Sequence, residues 1–138
     1  MYAPGGGAVF ATNTSVMDAP ARPSGCGAIG PEQGITAGES VTSCDGRFTL
    51  AMQGDGNLVL YQAGAGALFQ SRTAGTIGYA AIMQGDGNFV LYDRHAVPLW
   101  STVTEGHGAS TFAVQDDGNL VVYASGGRVV WASNTAGH

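Results

Sequence analysis

Three stretches of the chain align without a gap: AMQGDGNLVLYQ at residues 51–62, IMQGDGNFVLYD at 82–93 and AVQDDGNLVVYA at 113–124. The glutamines of this alignment, Gln53, Gln84 and Gln115, follow one another at intervals of 31 residues. A repeat at a fixed period is the feature to explain first, because it determines the architecture of the whole chain. The chain therefore contains three copies of one structural unit.

The repeat continues beyond these stretches. Eight residues after each tyrosine stands an aromatic residue, followed at fixed intervals by a hydroxyl residue, a threonine and a glycine. In order, these sets are Phe69, Trp100 and Trp131; Ser71, Thr102 and Ser133; Thr73, Thr104 and Thr135; and Gly75, Gly106 and Gly137. Their spacing predicts repeats at about 45–75, 76–106 and 107–137.

Each repeat has the pattern of short strands and tight turns. An apolar run, residues 48–52 in the first copy, leads into Asp-Gly before an apolar alternation, which is a strong hairpin signal. The pattern predicts turns near residues 54–56, 85–87 and 116–118. Alternation along the following strand places Asn57, Val59 and Tyr61 on one face and the leucines between them on the other.

One such unit cannot bury its apolar face alone, whereas three can do so around a shared axis. The inward positions are Leu58, Leu60, Phe89, Leu91, Leu120 and Val122, together with the downstream aromatic residues. We therefore predict an all-β fold, a three-sided prism of three small antiparallel sheets related by pseudo-threefold symmetry, with about 12 short strands. A linear solenoid is the competing arrangement, but it would leave two exposed ends.

Composition agrees with this fold and excludes several others. The 138 residues include 23 glycines, 11 % charged residues and 44 % hydrophobic residues, which disfavours both a disordered chain and a helical bundle. The net charge is −5, and the five basic residues are scattered arginines, so we expect no nucleic-acid partner. No apolar run approaches the roughly 20 residues of a membrane helix, so we expect no membrane insertion.

The cysteines bear on the compartment. Cys26 and Cys44 are the only two in the chain; paired, they would indicate an oxidising, extracellular location, and unpaired they would be two unrelated thiols.

Residues 1–5 lack the features of a signal peptide, which indicates a mature form with an added methionine or another export route. The absence of lysine, with much alanine and glycine, favours a bacterial source.

Residues 1–34 form an N-terminal extension in this interpretation, with much loop because glycine and proline dominate 4–7 and 20–31. Residues 9–14 (VFATNT) resemble residues 130–135 (VWASNT) and are either a stray strand or a chance match.

The candidate site is a set of five side chains that recurs unchanged: an amide, a carboxylate, a second amide, an apolar residue and a phenol. Its members are Gln53, Asp55, Asn57, Val59 and Tyr61; Gln84, Asp86, Asn88, Val90 and Tyr92; and Gln115, Asp117, Asn119, Val121 and Tyr123. Sugar hydroxyls both donate and accept hydrogen bonds, so amides and a carboxylate suit them. The set predicts one small sugar site per repeat.

Other interpretations of this set are weaker. Asp and Asn also stabilise turns through bonds to the backbone, which would make the sites silent. Calcium takes six to eight oxygen ligands, whereas each repeat offers one carboxylate, or two in the third with Asp116. A glycosidase needs two facing carboxylates, and the histidines, His95, His107 and His138, do not follow the repeat. We therefore predict a protein without metal, cofactor or enzymatic activity.

Gln-x-Asp-x-Asn-x-Val-x-Tyr resembles the mannose motif of the monocot mannose-binding (bulb-type, snowdrop-like) lectins, and all three copies match it at every motif position. Residues 35–41 also resemble the start of the family's domain, so the resemblance covers about residues 35–138. It implies a β-prism II fold, no metal, one site per repeat, and mannose-containing glycans as partners. A toxin-targeting or bacteriocin-like module of the same fold is the alternative function.

The resemblance also implies a role for each residue of the first site. Asp55 and Asn57 would bind the sugar 2-hydroxyl, Gln53 the 3-hydroxyl and Tyr61 the 4-hydroxyl, with Val59 packing on the ring. The same roles fall on the equivalent residues of the second and third repeats.

Three features depart from the family pattern. Plant members commonly have a disulfide cysteine where this chain has Gly56, so its own cysteines, if paired, form a different crosslink. Phe69 replaces the tryptophan of the other two repeats. Plant members often dimerise by exchanging C-terminal strands, which leaves a homodimer open for this chain.

Overall fold

The computed structural model describes residues 19–137. These residues contain twelve strands and no helix, and therefore no helix suited to crossing a membrane. In chain order the strands are β1 (Ala28–Ile29), β2 (Gly34–Thr36), β3 (Ser40–Thr42), β4 (Phe48–Met52), β5 (Leu58–Gln62), β6 (Gly66–Gln70), β7 (Gly78–Met83), β8 (Phe89–Asp93), β9 (Pro98–Ser101), β10 (Thr111–Val114), β11 (Leu120–Tyr123) and β12 (Val129–Ala132).

The strands form three antiparallel sheets of four strands each, one for each repeat. The first sheet has the order β3-β4-β5-β6, the second β2-β7-β8-β9 and the third β1-β10-β11-β12. The all-β prediction of three small sheets and about 12 strands is confirmed. Within each sheet, three consecutive strands come from one repeat, because its tight turns allow only neighbouring antiparallel pairing.

The fourth strand of every sheet comes from the segment that precedes the repeats. Ala28 pairs with Ala113 in the third sheet, and Ile35 pairs with Ala81 in the second. Val41 pairs with Leu50 in the first sheet. Residues 28–34, which the sequence places in the N-terminal extension, thus supply β1 and the start of β2. The strand predicted at 9–14 lies outside the described residues.

The core lies between the three sheets, as the alternation predicts. All six inward positions, Leu58, Leu60, Phe89, Leu91, Leu120 and Val122, are fully buried in one cluster. At its edge Phe69, Trp100 and Trp131 contact one another edge to face, with ring centroids 5.7, 5.9 and 5.9 Å apart. Edge-to-face contact is a favoured geometry for aromatic rings. One aromatic residue from each repeat therefore joins the three sheets.

A disulfide between Cys26 and Cys44 links two of the sheets. Cys26 precedes β1 of the third sheet, and Cys44 follows β3 of the first. Gly56, where plant members commonly have a cysteine, has a φ of 92°, and a Cβ there would come within 2.5 Å of the Thr76 carbonyl oxygen. A cysteine does not fit at that position, so this chain is crosslinked elsewhere.

Candidate functional site

Each predicted turn joins the second and third strands of its sheet and carries the candidate site. In the first repeat the N–H of Gln53 donates to the carbonyl of Asn57 at 2.9 Å, and the N–H of Gly56 donates to the carbonyl of Gln53 at 3.2 Å. This is a three-residue hairpin loop that ends in a left-handed glycine. The same two bonds close the loops of the second and third repeats, so the three turn predictions are confirmed.

The loop places the motif aspartate beside the motif asparagine. Oδ1 of Asp55 accepts a hydrogen bond from the N–H of Asn57 at 3.0 Å. Asp86 and Asp117 accept the equivalent bond at 2.9 Å each. Within residues 19–137, the second oxygen, Oδ2, of all three exposed carboxylates accepts no hydrogen bond. Each loop therefore presents one carboxylate oxygen to solvent in a fixed orientation.

The glutamine and the tyrosine of each motif contact each other. Nε2 of Gln53 donates to the hydroxyl of Tyr61, and the pairs Gln84–Tyr92 and Gln115–Tyr123 repeat the bond. A register shift precedes each tyrosine, between residues 60 and 61, 91 and 92, and 122 and 123. Such bulges turn a side chain relative to its strand. The bulge and the hydrogen bond together fix the phenol at one edge of the site.

The asparagine is held by the hydroxyl residues further along the repeat. Oδ1 of Asn57 accepts from Oγ of Ser71 at 3.1 Å and from the N–H of Thr73 at 3.2 Å. The second and third repeats make the same two contacts. The intervening residue, Arg72 in the first repeat, has a φ of 63°, which turns the chain so that both groups reach the asparagine. The carbonyl end of each motif asparagine is therefore used inside the protein and is not available to a ligand.

These supporting hydroxyl residues belong to the site, although sequence reasoning assigned them no role. The signal that could have identified them is the repeat itself, since Ser or Thr recurs at both positions in every copy.

The motif valines lie between the polar groups and are only 3 % exposed in all three repeats. They offer a ligand little apolar surface. Most of what a ligand would meet in each site is therefore carboxylate, amide and phenol.

Two carboxylates elsewhere in the described residues have a lowered pKa. Hydrogen bonds from the side chain and backbone of Arg47 lower the pKa of Asp45 to about 2. The backbone N–H of Thr36 lowers the pKa of Glu39, with a smaller contribution from Arg22, which lies 2.6 Å from its carboxylate. Among the described residues, no group of three or more His, Cys, Asp or Glu side chains is arranged to hold a metal ion.

Three four-stranded sheets around a common core, each with one copy of the same polar loop, define the β-prism II class of lectin folds. No protein-family model and no curated protein matches the chain. Solved structures do match it. A lectin of Marasmius oreades is 33 % identical, with a TM-score of 0.76 and coverage of 82 % of this chain and 95 % of that one.

Two further structures come from plants. A monomeric monocot mannose-binding lectin of Gastrodia elata is 30 % identical, with a TM-score of 0.70 and coverage of 80 % of this chain and 98 % of that one. The mannose-specific agglutinin of snowdrop, Galanthus nivalis, solved with methyl-α-D-mannoside, is 29 % identical, with a TM-score of 0.64 and coverage of 79 % and 96 %. The chain belongs to the monocot mannose-binding (bulb-type) lectin family. Its relatives are lectins, which bind carbohydrate without converting it.

Proposed function

We propose that the chain binds mannose or mannose-rich glycans through up to three metal-independent sites, one on each sheet. The observation that carries the proposal is the recurrence of one donor and acceptor arrangement in all three loops. Each has a carboxylate oxygen open to solvent and a glutamine bonded to a tyrosine hydroxyl. A structural turn alone needs neither the free oxygen nor the phenol.

The proposed contacts follow from this arrangement. The open oxygen of Asp55 accepts a charge-assisted hydrogen bond from a sugar hydroxyl, the strongest single contact of the site. The NH₂ group of the motif asparagine donates to the same 2-hydroxyl, as the family resemblance implies, and Gln53 and Tyr61 bind the 3- and 4-hydroxyls. The axial 2-hydroxyl distinguishes mannose from glucose, so this pair of contacts would set the preference for mannose.

We propose metal-independent binding because each loop has too few oxygen ligands to hold a calcium ion. Calcium takes six to eight oxygen ligands. The third loop alone has a second carboxylate, Asp116, and its Oδ1 already accepts a hydrogen bond from the N–H of Asp45 at 3.1 Å. The sugar hydroxyls would therefore form hydrogen bonds with protein groups directly, without a bridging metal ion.

A shallow site for one hexose should bind with a millimolar dissociation constant, about 4 kcal/mol. Several sites on one rigid prism raise the avidity for a dense mannan surface by orders of magnitude. A homodimer would double the number of sites per particle. Sedimentation of the free protein would show whether it is a monomer or a dimer. The disulfide is consistent with a secreted, extracellular protein.

Retention on mannan-agarose in EDTA tests the proposal. We expect the protein to bind and to elute with methyl α-mannoside but not with methyl α-galactoside. The matched control is the triple variant Asp55→Asn, Asp86→Asn and Asp117→Asn, which keeps the side-chain oxygen that accepts the N–H of the motif asparagine and removes the charge. Flow-through of the folded wild-type protein, or equal retention of the variant, would contradict the proposal.

A further inference from the structure

The three sites differ at one position that the strand register makes equivalent. The motif valines Val59, Val90 and Val121 pair with Gln70, Ser101 and Ala132, respectively. The first repeat therefore has a long amide side chain where the other two have a small residue. The difference lies beside the motif asparagine, because Ser71 and its equivalents, which hold that asparagine, come next in the chain.

In the first site the motif asparagine is bonded at both ends. Its NH₂ group donates to Oε1 of Gln70 at 3.0 Å, while its carbonyl oxygen accepts from Ser71 and Thr73. Asn57 is only 5 % exposed, so little of its second N–H faces solvent.

The other two sites leave this amide open. Asn88 and Asn119 are half-buried, and their NH₂ groups donate no hydrogen bond to any of residues 19–137. Their side-chain carbonyls make the same internal contacts as that of Asn57. Within the described part of the chain, the three asparagines thus differ only at the NH₂ group, which is hydrogen-bonded to another side chain in the first site alone.

We propose that Gln70 is an internal competitor that lowers the sugar affinity of the first site, so that the second and third sites carry most of the binding. This rests on the proposed function. A sugar hydroxyl that accepts from Asn57 must first displace the Gln70 side-chain carbonyl. The new Asn57–sugar hydrogen bond then replaces the Asn57–Gln70 bond, so the number of hydrogen bonds does not increase. A net hydrogen bond corresponds to about a three- to tenfold change in affinity, and we expect a difference of that size.

Single-site proteins test this directly. Asp86→Asn with Asp117→Asn leaves the first site intact, and Asp55→Asn with Asp117→Asn leaves the second. Calorimetric titration with methyl α-mannoside should give about a three- to tenfold weaker dissociation constant for the first site. Adding Gln70→Ser should strengthen the first site to the level of the second, and adding Ser101→Gln should weaken the second by a similar factor. Circular dichroism checks that all four proteins are folded.

A measurement without sugar tests the competing bond itself. Hydrogen exchange of the side-chain NH₂ groups, followed by NMR, should be slower for Asn57 than for Asn88 and Asn119, and Gln70→Ser should remove the difference. Equal affinities in the two single-site proteins, or no gain from Gln70→Ser, would overturn the proposal even though sugar binds. A loss of affinity on Gln70→Ser would also overturn it, since Gln70 would then contact the sugar. Absence of binding by the second-site protein and the wild type would instead reject the proposed function, and the inference with it.

Discussion

The side-chain carbonyl of Asn88 accepts a hydrogen bond from the backbone N–H of Thr104 at 3.1 Å, across 16 residues of chain. The equivalent pairs, Asn57 with Thr73 and Asn119 with Thr135, are each separated by 3.2 Å. The asparagine of each motif therefore connects the motif loop to the last segment of its own repeat. A residue that the family resemblance assigns to sugar recognition also holds the fold together.

Asn88→Ala should therefore lower stability as well as sugar binding. The variant leaves the N–H of Thr104 without its acceptor, and an unsatisfied buried donor costs about 1–3 kcal/mol. The free energy of unfolding in urea measures the loss. Asp86→Asn is the control, since it keeps an oxygen for the N–H of Asn88 and should unfold near the wild-type urea concentration. Equal stability of the two variants would contradict the structural role of Asn88.

The aromatic contacts between the sheets should contribute strongly to stability. Trp100 packs edge to face against both Phe69 and Trp131. Trp100→Ala should cost about 3 kcal/mol, near the low end for a buried aromatic residue because Trp100 is only partly buried. Trp100→Phe reproduces the residue of the first repeat and should cost about 1 kcal/mol. Thermal unfolding distinguishes the two, and similar melting temperatures for both variants would show that the ring contacts matter little.

Removal of the disulfide should destabilise the protein without abolishing the sites. The bond closes a loop with a sequence separation of 18, which is worth about 3 kcal/mol in the chain-entropy model. Cys26→Ser with Cys44→Ser should show this loss in urea. Dithiothreitol should lower the wild-type stability by a similar amount and leave the double variant unchanged. A reductant effect on the double variant would mean that another process is being measured.

The ion pair of Asp45 and Arg47 should give a small stability difference at low pH. Since hydrogen bonds from Arg47 lower the folded-state pKa of Asp45 to about 2, folding favours its carboxylate. This contribution is fully present above the ordinary pKa of about 4 and is lost as the pH falls through about 2. The melting temperature of the wild type should exceed that of Asp45→Asn at pH 7, and the difference should vanish below about pH 2. A difference independent of pH would exclude this origin.

Much of the fold could be predicted because the repeat presents the same local signals three times. Asp-Gly before an apolar alternation located all three turns, and the leucine positions located the core. Strands β1 and β2 gave no comparable signal, because they contain only two and three residues and form by pairing with distant strands. Their placement in the second and third sheets depends on contacts that no local pattern encodes.

For the candidate site, the sequence by itself determined which five side chains recur and that they lie on a turn and the strand that follows it, since turn chemistry and strand alternation are local. Only the tertiary structure decided what each polar group is bonded to. Gln70, the last residue of β6, and Ser71, which follows it, both reach Asn57, and the Gln70 contact leaves the first site different from the others. Hydrogen bonds between strands depend on register and on bulges, so three identical motifs can form sites that are not equivalent.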